Sequence, residues 1–329
     1  VEKLMRKIFV GALIGCAAIA VSRAATAITG AKPSAAEGLR FVVLVPEFDK
    51  TAAEAAKLTD DKAKVALFEK RMSPLAKGFY ARKRKPDRYD QRVLANLKAY
   101  PAQREKILAV TKEFQELLVP ARASFQKAFG PVSSSQPVYL LHSLGEMDGG
   151  TRDNLEGGKL TLIFGADVIA KIHYGKDMTP FFHHELFHVY HEPLMPDCKA
   201  AWCSLWEEGL ATYVAGKLNP NAGDAALMLD QPAPIRPAVD ANLAGAICAT
   251  KPLLTSEKEE DYSKLFYGNA HIDGFPARMG YYLGYLVAAD LGKTRSLKQL
   301  AALKPAEVKP LIDASFARMA SCPAKAASS

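Results

Sequence analysis

The stretch TPFFHHELFHVYHEP, residues 179–193, holds four of the seven histidines of this 329-residue chain. Its spacing predicts a helix. Thr179 can cap a helix whose first residue is Pro180, and Pro193 ends it. Each helical residue advances about 100°, so with His184 at 0°, His188 falls near 40° and Glu185 near 100°. Phe182, Leu186 and Tyr190 take the opposite side, at roughly 160–240°. The segment reads as a helix with an apolar back in the core and an edge bearing two imidazoles and a carboxylate. His184-Glu185-x-x-His188 is the arrangement in which two imidazoles bind one metal while a glutamate stands beside it. His191 shares that edge one turn on and is expected to line a cleft rather than bind the same ion. His183 falls on the back, where a satisfied core or surface residue is expected.

A metal centre needs a third protein ligand, and SLWEEGLATYVAGK (204–217) supplies one on a second helical stretch. With Glu208 as origin, Ala211, Thr212 and Ala215 lie within about 60° of it, while Trp206, Leu210 and Tyr213 take the other side. An edge of small residues lets this helix come close to the first. Glu207 points elsewhere, so Glu208 is the expected ligand. Two histidines and a glutamate leave one position open, which is the composition of a catalytic zinc site rather than a closed structural one.

HExxH followed by EGLA resembles the gluzincin class of zinc metallopeptidases, which includes the thermolysin-like enzymes and the gluzincin aminopeptidases. The Glu-Gly-aliphatic-Ala form is closer to the aminopeptidases. PARMGYYLGY (276–285) is similar to the Gly-Tyr helix of small predicted zinc-dependent proteases. The resemblance covers residues 179–217 and does not reach 28–130. Metzincins are excluded, because their longer motif wants Gly at His191 and His at Leu194. The Gly-x-Met-Glu-Asn run of the aminopeptidases is absent, and GEMDGG (145–150) is only a partial echo of it.

The resemblance implies an α+β, mainly helical, zincin-like catalytic domain with a small sheet. It implies one zinc ion on His184, His188 and Glu208, with Glu185 as general base, and a peptide or protein substrate. An oxyanion donor would come from Tyr281, Tyr282 or His271, and KLTLIF (159–164) would be the edge strand that pairs with an extended substrate. Two other classes fit the same residues: a zinc-binding but inactive relative that acts as a binding module, and a zinc hydrolase of non-peptide bonds such as those of cell-wall material.

Outward from the histidine helix the chain is globular in composition, with 49% hydrophobic and 24% charged residues, so a sizeable core can form. Residues 1–27 read as a secretory signal: basic Lys3, Arg6 and Lys7, an apolar run over 8–21, and ATA before a cleavage after Ala27. The rival reading is a lipoprotein box, LIGC, with lipid on Cys16. An exported, periplasmic or secreted protein is expected. No other apolar run is long enough to span a membrane.

Residues 28–130 form a helical N-terminal region after a flexible Ala/Gly/Ser-rich leader, and 131–329 the catalytic domain, with GPVSSSQP (130–137) as boundary. FVVLVPEF (41–48) reads as a short strand or an extended anchor. Thr59 is a candidate N-cap, and Pro120 is expected to kink or break the helix that precedes it. VYLLH (138–142) and KLTLIF read as strands, and the Gly-rich SLGEMDGGTRDNLEGG between them as a loop over a cleft.

The net charge of +8 is mild and falls partly in the leader. The basic run ARKRKPDR (81–88) carries no interleaved aromatic platform, so it reads as a solvated loop and no nucleic-acid partner is expected. Beyond Cys16 the cysteines are Cys198, Cys203, Cys248 and Cys322. An even count in an exported chain predicts two disulfides. The short CKAAWC spacing favours Cys198–Cys203, which leaves Cys248–Cys322.

Overall fold

The computed structural model describes residues 39–132, 137–152, 161–195 and 198–322. The expected leader, its cleavage site and the alternative lipid site at Cys16 lie outside the described residues. Four strands, β1 (Phe41–Val43), β2 (Val138–Leu141), β3 (Gly149–Arg152) and β4 (Thr161–Gly165), form one mixed sheet in the order β1-β2-β4-β3. β1, β2 and β4 are mutually parallel, and β3 runs antiparallel to β4 at the edge. β2 and β4 are buried along their whole length. That is why VYLL and TLIFG are nearly unbroken apolar runs, as parallel strands covered on both faces tend to be.

The helices follow in chain order: α1 (Val45–Ala55), α2 (Asp61–Met72), α3 (Tyr89–Phe129), α4 (Ala166–Ile172), α5 (Thr179–His191), α6 (Ala201–Leu218), α7 (Arg236–Asp240), α8 (Leu243–Thr250), α9 (Glu259–Phe266), α10 (Met279–Leu291), α11 (Leu297–Ala301) and α12 (Pro305–Met319). The architecture is therefore mainly helical α+β with a small sheet. FVVLVPEF resolves into both a strand and a helix: Phe41–Val43 pairs with β2, and α1 starts at Val45. Asp60, not Thr59, caps α2, its carboxylate accepting from the Ala63 N–H at 2.9 Å.

Pro120 neither breaks α3 nor ends it; the helix runs through both Pro101 and Pro120 for 41 residues. Pro120 and Glu116 lie on the exposed side, so the carbonyl that Pro120 frees meets water. The buried stripe Phe114, Ala121, Phe125 and Phe129 continues across it. Phe114 packs on Phe164 of β4 and on Phe182 of α5, with ring centroids 4.5 and 5.9 Å apart. The long helix thus seats the histidine helix against the sheet. Residues of β1 and α3 share one hydrophobic core with those of β4 and α5.

Three cations of the basic run at 81–88 are paired with carboxylates elsewhere in the fold. Arg82 binds Glu69 and Asp90, while Arg84 and Lys85 bind Glu146. Both expected disulfides are present, Cys198–Cys203 and Cys248–Cys322. Two such bonds point to an oxidising, extracytoplasmic compartment. Among the described residues no helix is long and apolar enough to cross a membrane.

Candidate metal centre

α5 spans Thr179–His191, one residue earlier than a Thr179 cap would give. The Thr179 N–H donates to Asp177 Oδ1 at 2.9 Å, and Pro180 occupies the first turn, where no N–H is needed. Its apolar back is in the core: Phe182, Leu186 and Phe187 are fully buried. His183 is a core residue with every ring nitrogen satisfied. Nε2 lies 2.8 Å from the Ala121 carbonyl and 2.9 Å from the Ser124 hydroxyl, and Nδ1 accepts from the Asn219 amide at 2.8 Å.

The front of α5 faces α6. His184 Nε2, His188 Nε2 and Glu208 Oε2 stand 3.1, 3.2 and 3.4 Å from one another. A tetrahedral ion at about 2.0–2.1 Å from its ligands holds them about 3.3 Å apart, so the three donor atoms match one face of a metal coordination tetrahedron. They form a group able to hold a metal ion. Thr212 Oγ1 donates to the Glu208 carbonyl at 2.8 Å and so can accept from His184 Nδ1 at 3.4 Å. That contact leaves the His184 Nε2 lone pair free for an ion.

α6 reaches this position because of Gly209. A Cβ there would overlap the backbone of Gly284 on α10, and a Cβ on Gly284 would strike the Leu205 carbonyl. The small edge of α6 is therefore shared: Thr212 faces α5, and Gly209 lets α10 close from the other side.

The charges respond to this crowding. Burial alone would lower the pKa of His188, but the Glu208 carboxylate raises it to about 9. Glu208 would be raised by burial, yet His188 and His184 hold it far below the usual carboxylate range. Burial pushes Glu185 up to about 8, and its Oε2 is buried without a hydrogen-bond partner. Burial also raises Glu207 to about 7 and lowers His191 to about 3.

These groups line a cavity of about 350 Å³ with β3 as one wall. KLTLIF is not the edge strand: β4 lies between β2 and β3, and the edge comes from the Gly-rich stretch expected to be a loop. The reason is Gly149, where a Cβ would meet Phe181 and Glu185; only glycine lets a strand lie this close to α5. The Gly165 N–H donates to the Asp148 carbonyl at 2.8 Å. By antiparallel alternation Gly149 and Thr151 then turn their peptide groups to the open edge. Asp148 Oδ1 accepts from the Gly149 N–H, and Arg152 donates to the Thr151 carbonyl. Among the described residues no group pairs with the Gly149 carbonyl or the Thr151 N–H.

Of the three expected oxyanion donors, the structure brings one to the site. Tyr281 lines the cavity, its ring stacked on His184 at 6.2 Å, and burial pushes its phenol well above the ordinary value, so it remains a donor. Tyr282 is turned away, donating to Asp240 at 2.8 Å. The i and i+1 positions of a helix face different directions, so only one of the two tyrosines can point at the metal ligands. His271 is exposed and lies outside the cavity, in the irregular stretch before α10. Sequence reasoning passed over Asp148, Arg152, Met228 and Arg278, which also line it. Arg278 sits within the PARMGYYLGY stretch, and Asp148 and Arg152 within the Gly-rich stretch expected over a cleft; for Met228 no local pattern marks the role.

Compared with protein-family profiles, curated proteins and solved structures, the chain shows no significant match. Fold and site define a mainly helical α+β protein with a largely buried His-His-Glu group able to bind a metal.

Proposed function

We propose that the protein is a zinc-dependent peptidase of gluzincin type on a zincin-like fold, acting on peptides or proteins outside the cytoplasm. The observation that carries this reading is the buried, unpartnered Oε2 of Glu185 beside three converging metal-ligand atoms. The ionised form of a carboxyl held in that state is costly, so it takes up a proton readily, as a general base must. His184, His188 and Glu208 would hold the ion, and a bound zinc would supply Lewis acidity, bringing a water pKa toward about 7 and polarising a carbonyl.

The protein's own part follows from its geometry. Glu185 takes the proton of the attacking water at Oε2 and passes it to the leaving amine. The Tyr281 hydroxyl donates to the developing oxyanion. β3 aligns an extended substrate through the Gly149 carbonyl and Thr151 N–H. Purified protein should carry about one zinc per chain and cleave casein or a peptide library. Glu185→Gln should lose that cleavage while keeping its zinc and its melting temperature. Near wild-type cleavage by the variant would remove the base; a zinc-loaded wild type that cleaves no peptide would leave a binding module or a hydrolase of other bonds.

A further inference from the structure

Arg278 is the cationic side chain of the cavity that the proposed chemistry leaves unused. Its guanidinium lies 4.5 Å over the Tyr281 ring, which in turn stacks on His184. The stack fixes the charge beside the metal ligands. Arg152, the other arginine of the cavity, is engaged by Glu146 and the Thr151 carbonyl. Among the described residues Arg278 forms no ion pair; it meets the Tyr281 hydroxyl and, at a long 3.4 Å, the Gln231 carbonyl.

Its backbone is also unusual. Only three non-glycine residues among those described have positive φ, and two of them, Met228 and Arg278, line this cavity. Such conformations are strained and persist where the surroundings or a function require them. Met228 precedes the Gln231 carbonyl that Arg278 touches, so an apolar wall and a guanidinium meet on one side of the cleft. A planar guanidinium with five N–H donors, stacked on an aromatic face and paired with no carboxylate among the described residues, suits bidentate binding of one.

We propose that Arg278, backed by Met228 and Tyr281, is a carboxylate-binding subsite, and that the preferred substrate carries a carboxylate there, either a free C-terminus or an acidic side chain. The proposal rests on the peptidase reading of the cleft, but its test does not require turnover. The zinc-loaded Glu185→Gln protein is titrated by calorimetry with three matched N-acetylated tetrapeptides. One is neutral with a C-terminal amide and an internal Gln, one has a free C-terminal acid, and one has Glu in place of the Gln.

One of the two acidic peptides should bind roughly tenfold more tightly than the neutral one, and which of them does so identifies the source of the carboxylate. Adding Arg278→Gln should erase the preference, and Arg278→Lys should keep part of it, with zinc content and melting temperature unchanged. Equal affinities for all three peptides would overturn the proposal. So would a preference that survives in Arg278→Gln, since the carboxylate would then sit on the metal. Hydrolysis by the wild type is measured separately. A peptidase with no carboxylate preference fails this proposal alone, and a carboxylate preference without cleavage fails only the peptidase reading.

Discussion

His183 and His184 are neighbours in the chain, and α5 sends them to opposite surroundings. His183 meets Ala121, Ser124 and Asn219, and both of its ring nitrogens are matched by groups of fixed polarity. On the other face, His184, His188 and Glu208 converge on one another, and Glu185 and His191 each keep a buried polar atom without a partner. A residue type therefore says little about role. What separates a structural histidine from a functional one is whether its hydrogen-bonding capacity is closed by the fold or left open.

Substituting each side in turn gives the largest contrast. His188→Ala removes a ligand and should take zinc from about one per chain to near zero, with peptide cleavage falling to background. Its effect on folding should be small. His183→Ala should retain zinc but lose roughly 2 kcal/mol of stability, because it removes the ring's hydrogen bonds to Asn219 and Ala121 and leaves a gap in the core. Elemental analysis and thermal melts of the two variants decide the matter. Zinc loss in His183→Ala with no change in melting would reverse the assignment.

Gly209 tests whether the open face depends on helix spacing. Gly209→Ala places a methyl against the Gly284 backbone, and overpacking of this kind costs about 1–3 kcal/mol. Because Glu208 precedes it, zinc affinity should fall along with stability. A variant that melts lower but holds zinc as tightly would show that Glu208 is positioned independently of α10.

How much of this was legible in the sequence follows from the range of the interactions. The metal ligands were readable because i, i+4 spacing on one helix and a small-residue edge on the next are local properties. The back of α5 and the choice of Glu208 over Glu207 were readable for the same reason. The edge strand was not. Its residues, Gly149 to Arg152, have little strand propensity, and they form a strand because β4 offers a partner and Phe181 and Glu185 leave room only for glycine. Pro120 misled in the opposite direction, since a local helix breaker sits on an exposed face of a helix held by its buried stripe. His271 and Tyr282 were grouped with Tyr281 by nearness in sequence, which does not fix direction.

A third buried histidine extends the comparison to pH. His142 stacks on Phe48 at 3.8 Å, and its Nδ1 accepts from the Leu144 N–H at 3.2 Å, so it is held neutral like His183. Burial lowers its pKa to about 4, against the raising effect of Asp167. The folded state thus binds this proton less readily than the unfolded state. The stability it contributes is complete above about pH 6.5 and is lost as pH falls toward 4, on the order of 3 kcal/mol in all. Denaturant unfolding at pH 7.5, 6 and 5 should show a shallower decline in His142→Leu than in the wild type. Zinc release is common to both proteins, so parallel declines would remove His142 as the cause.

The smallest effect is expected where the two faces are joined. Cys198–Cys203 closes a short ring in the connection from α5 to α6, with Cys203 buried in the first turn of α6. The bond holds the start of the helix that carries Glu208. It does not hold it alone, since the Ala201 and Trp202 N–H groups donate to the Ser256 and Leu254 carbonyls at 2.9 Å. Those contacts satisfy two of the free N–H groups that open a helix and anchor it from another direction. Cys248–Cys322 spans 74 residues and constrains the unfolded chain far more. Chain entropy assigns about 2 kcal/mol to a ring of five or six residues and roughly 4 kcal/mol to the longer one. Replacing both cysteines of the long bridge with serine should therefore lower the melting temperature more, and leave zinc affinity as it was. The Cys198→Ser, Cys203→Ser protein should melt only slightly lower but bind zinc a few-fold more weakly in competition with a chelator, because the third ligand then has to be ordered on binding. Unchanged zinc affinity in that protein would mean that the contacts to Leu254 and Ser256 suffice to place Glu208, and that the short disulfide serves the loop rather than the site.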